Sequence, residues 1–363
     1  MPLEPNPELH IPSPSPTRVR DVEEVLDRIT GGRISAPPGP DNPWHVVKSS
    51  GLAGKSVIET PGLVTGDPDA VVRRLAVAMS MTEHHIELAR AMGVDLIVAH
   101  HPVADAASSG GVPLTDYLAP YGVSVIECHE AFHGLHPGIA FLHGHEPFHH
   151  DGAFGGVHGK VVMVGRPLDE VTTLGDLVAR VRTWLNRDVD ERVLLAETTA
   201  RGAAHLVDSA TAPGLQILAG DASTPVGPMV LHAFPHTGFG PADLDAALAA
   251  HPGVTTLVLS ISGANADGAL VRRARALGLG VVVGSSHASE ILENGLPLAF
   301  ALERMLPDVE VTLFRDRVVA LPLSVAAPGR LGEYAHRMAD HLLHRTESRL
   351  DREPSPATEE VVL

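Results

Sequence analysis

The chain has 363 residues, 44% of them hydrophobic and only 4% aromatic, which is length enough for two domains with aliphatic cores. Its 44 acidic against 27 basic side chains leave a formal charge of −17, which argues against nucleic acid or an anionic membrane as a partner. One cysteine, Cys128, excludes an internal disulfide, no run approaches the ~20 apolar residues of a membrane span, and the start lacks a signal-peptide pattern, so a cytoplasmic protein is expected.

Residues 1–17 carry six prolines and are expected to be disordered. A first α/β domain is expected over 18–155, opening with a helix that buries Val19, Val22, Val25, Leu26 and Ile29 at helical spacing. A second helix is expected from about 82 to 92. Val94, Leu96, Ile97, Val98 and Ala99 then form a short apolar run suited to a parallel strand covered on both faces, and Pro102 stops it. Val123 to Ile126 reads as another strand, and Asp151 to Gly156 as a linker. The second α/β part, over 156–330, alternates strands at Val161–Val164, Arg192–Ala196 and Gln216–Ala219 with a helix at Thr173–Leu185. Thr255–Ser260, a helix near 266–277 and Gly280–Val283 continue it. Residues 331–350 read as an amphipathic helix, followed by a disordered polar tail to 363. The fold class is therefore α/β, with two α/β domains, mixed or mostly parallel sheets, and a site in the cleft between them.

The chemistry lies in the histidines, 22 of them against three lysines. The strand at 94–99 ends in His100-His101, where ligands bind in open α/β sheets. The strand at 123–126 ends in Glu127-Cys128-His129-Glu130, followed by His133 and His136. The strand at 280–283 runs through Gly284 into Ser285-Ser286-His287-Ala288-Ser289-Glu290, in which His287 and Glu290 share a helix face. Three strand ends each deliver imidazole or carboxylate, the donor types of a metal site. Taken singly, each has an ordinary structural explanation, such as Ser286 as a helix cap with Glu290 in the first turn. A fourth group, His143, His145, His149, His150 and Asp151, reads as a polar surface segment or a loop at the site mouth. Cys128 beside His129 reads as a buried thiol rather than a nucleophile.

These blocks resemble the Nif-three-like dinuclear metal-centre family, the GTP cyclohydrolase I type 2 homologues, from about residue 19 to 325. The resemblance rests on Gly66-Asp-Pro-Asp69, the Asp-Leu-Ile-Val-Ala-His-His-Pro block, Gly165-Arg-Pro-Leu168 and the closing Ser-His-Ala-Ser-Glu. It implies divalent metal ions, two per chain, with zinc, iron, manganese, cobalt and nickel indistinguishable by ligand type. It implies His100, His101, His133, His287 and Glu290 as ligands. His133 stands where the family has a bridging aspartate, so Glu130 is an alternative bridge. The His–Glu spacing is three rather than four, so Ser286 is an alternative to His287. His129, Glu130 and His136 are candidates for moving a proton. The family also implies a homohexamer.

The function expected is a metal-dependent hydrolase acting on a small cyclic or amide metabolite. Opening of a GTP ring is disfavoured by the absence of a Gly-x-x-x-x-Gly-Lys loop and by the acidic balance. The alternative is a non-catalytic metal-binding, metal-delivery or scaffold protein.

Overall fold

A computed structural model of the chain describes residues 16–37, 56–101, 114–132, 138–157, 159–186, 215–260, 264–284, 287–315 and 329–350. Between these stretches it describes positions 42, 44, 46–49, 136, 188, 189, 192, 195, 196, 199, 319–323 and 327. Most of the proline-rich start and the tail after 350, both expected to be disordered, lie outside the described residues.

Helix α1 (Val19–Thr30) forms where the apolar spacing requires it. The Asp21 carboxylate accepts the Arg18 backbone N–H at its start, and Gly31 closes it in the left-handed conformation at φ 71°. Helix α2 (Glu83–Met92) is capped by the Thr82 hydroxyl and ends at Gly93 in the same way. Between and after them run β3 (Gly62–Thr65), β4 (Arg74–Ala78), β5 (Leu96–Ala99) and β6 (Ser124–Glu127). These join β13 (Glu310–Arg315) and β14 (Val319–Pro322) in a six-stranded sheet of order β14-β13-β4-β5-β6-β3. The run from β13 to β6 is parallel and the two edges are antiparallel, so the sheet is mixed.

Alternation along the strands explains why every residue of β5 and β6 is buried. Leu75, Val77, Leu96, Val98 and Ile126 face α1, α10 (Leu296–Met305) and α11 (Arg330–Leu350). Ala76, Ala78, Ile97, Ala99 and Val125 face the other way, against Ile86 and Ala89 of α2. A sheet covered on both faces needs apolar residues at consecutive positions, which is the pattern seen at 94–99.

A second six-stranded sheet has the order β7-β8-β10-β11-β12-β9. Its strands are β7 (His145–Asp151), β8 (Val162–Pro167), β9 (Gln216–Ala219), β10 (Met229–Ala233), β11 (Val254–Leu259) and β12 (Gly280–Val283). Strands β10, β11 and β12 are parallel and the flanking strands antiparallel. Helices α7 (Pro241–Ala250) and α8 (Ala269–Ala276) cover one face, and α6 (Leu174–Trp184) the other.

Chain order and sheet membership differ from the expected division at 155/156 and 330. Strand β7 belongs to the second sheet, while β13 and β14 return to the first, with Val311 opposite Leu75. The second sheet is thus an insertion between β6 and the last helices and strands of the first. Parallel pairing is non-local, and contiguity along the chain does not report it. The strand expected at Arg192–Ala196 is also corrected, since the described positions 192, 195 and 196 are helical. Among the described residues, no helix is long and apolar enough to cross a membrane.

Candidate metal centre

The backbone delivers the first two imidazoles. The parallel ladder continues past the end of β5, with His100 N–H donating to Ala78 O at 2.9 Å and His101 N–H to Met79 O at 2.7 Å. The next ladder does the same, with Cys128 N–H donating to Ala99 O at 3.1 Å, so β6 sets His129 as the first residue of α4 (His129–Phe132). The three rings cluster, with centroids 5.7 Å apart for His100–His101, 5.1 Å for His100–His129 and 4.8 Å for His101–His129.

Glu290, on the short helix α9 (His287–Glu290), meets them from across the fold. Its Oε2 lies 3.3 Å from His101 Nε2 and its Oε1 3.9 Å from His100 Nε2. Access is graded, since the His100 side chain is fully buried, His101 is 18% exposed and Glu290 25%. The centre therefore touches solvent along its Glu290 and His101 side. After α9 the helix widens into a π turn at Ile291–Gly295, a distortion common at functional sites. From that turn Asn294 Nδ2 approaches His100 Nε2 at 3.5 Å. The neighbouring Glu293 is buried, with its carboxylate 3.5 Å from His143 Nδ1. Burial, and then the nearby Glu290 charge, hold the Glu293 carboxyl well above the usual carboxylate range, which favours its neutral acid form.

His136 is buried and reaches the cluster through Phe132, whose ring lies 5.4 Å from His136 and 6.3 Å from His100. The Gly138 N–H donates to its Nδ1 at 3.1 Å, which assigns the ring hydrogen to Nε2. His133 and Ser286 lie outside the described residues. Glu130 and His287 are placed on α4 and α9 by their backbone, and their side chains lie outside the described residues. Cys128 is fully buried, and burial pushes its thiol up to about 12, which makes it an unreactive core residue.

One expectation is overturned in part. The stretch from His143 to Asp151, read as a polar surface segment or a loop at the site mouth, contains strand β7, in which His149 and His150 are exposed, whereas His143 and His145 are 3% and 0% exposed. They lie beside His232 of β10, a residue that sequence reasoning passed over. The missed signals were the two-residue spacing of His143 and His145 and the position of His232 inside an apolar strand.

The donor set of three imidazoles and a carboxylate suits a borderline divalent ion. Two donors 3.3 Å apart match the edge of a tetrahedron with bonds of ~2.0–2.1 Å, as well as a weak hydrogen bond. Among the described residues, no group of three or more histidine, cysteine, aspartate or glutamate side chains is already arranged to hold an ion. The fit is therefore one of donor type and proximity, with further expected ligands beyond the described side chains.

Residues 52–107, which include the His100-His101 block, match the sequence profile of the Duf34/NIF3 (NGG1p interacting factor 3) family. No curated protein matches. Among solved structures, Staphylococcus aureus hypothetical protein SA1388 superposes with a TM-score of 0.52 at 14% identity, covering 82% of this chain and 96% of its own. A Bacillus cereus protein related to NIF3 gives 0.51 at 13% identity, covering 82% and 97%. Reduced HcgD from Methanocaldococcus jannaschii gives 0.50 at 14% identity, covering 83% and 98%. At such identities the similarity establishes the fold, and it extends over both sheets.

Proposed function

This chain is a divergent NIF3-like protein, and from that premise we propose that it is a metal-dependent hydrolase acting on a small cyclic or amide metabolite. The observation that supports this reading is the convergence of His100, His101, His129 and Glu290 from three separate elements on one partly open position. His100, His101 and Glu290 would hold metal, with His133 and His287 as further donors and Glu130 as the alternative bridge. When bound, a divalent metal polarises a substrate oxygen and lowers the pKa of water.

The chain's own residues set the geometry. The ladder bonds at His100 and His101 fix the backbone that carries both rings before anything binds, which limits the ordering cost of a ligand. The Phe132 ring closes the inner side of the cluster against His100 and His136. The openness at Glu290 and His101 offers an approach for a small molecule. His129, edge-on to His100 and tilted against His101, takes a proton and returns it to a leaving group in this reading, with His136 and Glu130 as the other candidates. The acidic surface favours a neutral or cationic substrate over a polyanion. By resemblance, this reading carries a homohexamer.

The test is metal content by plasma mass spectrometry on untagged protein, comparing wild type with His101→Ala and Glu290→Ala, followed by a hydrolase substrate panel. Metal lost in both variants, with turnover of a cyclic or amide substrate lost in parallel, supports the reading. Wild-type protein that neither carries nor takes up metal would sink it. Bound metal that stabilises folding without any turnover would favour the metal-binding or scaffold role instead.

A further inference from the structure

Three buried imidazoles stand outside the centre just described. His143 leads into β7, His145 is its first residue, and His232 lies within β10. They are 3%, 0% and 1% exposed. The rings of His143 and His232 meet edge to face at 4.8 Å, and those of His145 and His232 are 5.8 Å apart. His143 donates through Nδ1 to the Ile139 carbonyl at 2.9 Å, so its Nε2 carries a lone pair. That nitrogen, both ring nitrogens of His145, and Nδ1 of His232 are buried without a hydrogen-bond partner. Buried polar atoms are almost always paired in folded proteins, and several orphans in one place call for a ligand.

The surroundings favour a cation that accepts lone pairs. Burial lowers His143 to about 4 and His145 to about 3, and brings His232 well below its ordinary value, so all three are neutral near pH 7. Neutral imidazole is the form that binds metal. His232 sits directly opposite Met163 in the antiparallel β8–β10 pair, which sets a buried thioether on the same face. Two glycines leave the nitrogens room, since a Cβ at Gly165 would fall 2.4 Å from His145 Nδ1 and one at Gly284 would fall 3.0 Å from His143 Nε2.

We propose that His143, His145 and His232, beside Met163, form a second and sealed site that takes one soft transition-metal cation, copper(I) being the ion suited to imidazole and thioether donors. Among the described residues, these rings do not yet close on a common point, so binding turns them inward.

The experiment loads metal-stripped full-length protein with copper(I) under reducing conditions, against a chromophoric competitor, in wild type, His145→Asn, His232→Asn, His101→Ala and Glu290→Ala. The expected result is one copper per chain in wild type and in the His101 and Glu290 variants, with affinity reduced at least ~10-fold in His145→Asn and His232→Asn. X-ray absorption on the wild-type copper form should show an imidazole-dominated shell, a readout that stands if a variant fails to fold. The proposal is overturned if wild-type protein takes up no copper, if the His145 and His232 variants bind it as tightly as wild type, or if oxygen ligands dominate the shell. Because the centre at Glu290 is tested through different variants and through its own metal content, failure of either site leaves the other result readable.

Discussion

In the first sheet the histidines follow the last residues of β5 and β6, whereas in the second sheet His232 lies inside β10 and His145 begins an edge strand against β8. The sheets otherwise share a plan, with parallel strands in the middle and antiparallel strands at the edges. The position of an imidazole relative to the strand end sets its environment. Beyond the end, His101 keeps solvent contact and a carboxylate partner in Glu290. Within the sheet, His232 is enclosed, loses its charge to burial and leaves a ring nitrogen unpaired. One arrangement is open to solvent and the other is closed to it.

The comparison is tested most severely at Phe132, which packs beneath the open cluster with no exposure of its own. Phe132→Ala should cost about 3–5 kcal/mol in chemical denaturation, because a fully buried ring is deleted from a core that closes only partially. A cost below ~1 kcal/mol would mean that the aromatic floor is not what holds His100 in place.

A more selective probe is Gly165→Ala. The added Cβ would lie 2.4 Å from His145 Nδ1 and 2.6 Å from the Glu146 carbonyl oxygen. Overpacking of this kind should cost about 1–3 kcal/mol. Metal content at the His100–Glu290 centre should be unchanged. If that metal is lost as well, the two clusters are mechanically one unit and the contrast drawn above fails.

His85 isolates the effect of burial alone. It is a lone buried imidazole stacked on Phe314 with its Nδ1 2.8 Å from the Thr82 hydroxyl. Burial, and then the charge of His84, lower it from 6.5 to about 4. Between those values the unfolded chain binds the extra proton, so stability is full above pH ~6.5 and falls as the pH drops toward ~4. The loss is on the order of 3 kcal/mol by the linkage relation. His85→Gln should flatten this limb of a stability–pH curve measured by urea denaturation, and an unchanged slope would show that other groups carry it.

Much of the fold is legible in the residues. The spacing of Val19, Val22, Val25, Leu26 and Ile29 marks α1, and the apolar run ending at Ala99 marks a parallel strand buried on both faces. Both signals are local periodicities that burial imposes directly. The proximity of His100, His101 and His129 follows from adjacent parallel strands that end at the same level. The membership of β13 and β14 is not legible, because a strand's partner lies up to 237 residues away, as in the Thr312 hydroxyl bond to Leu75 O. The burial of His143 and His145 is only half legible, since their two-residue spacing puts them on one face without saying which element will cover it.

The sequence by itself determined the α/β class, the strand ends at which imidazoles gather and the acidic balance of the chain, because each depends on near neighbours or on composition alone. Tertiary structure alone decided that Glu290 faces His101 across 189 positions, that the second sheet is inserted into the first, and that His143 and His145 are buried against His232 of β10. Those outcomes depend on which elements pack together, and packing between distant segments follows from burying whole faces of helix and sheet rather than from any residue's neighbours in the chain.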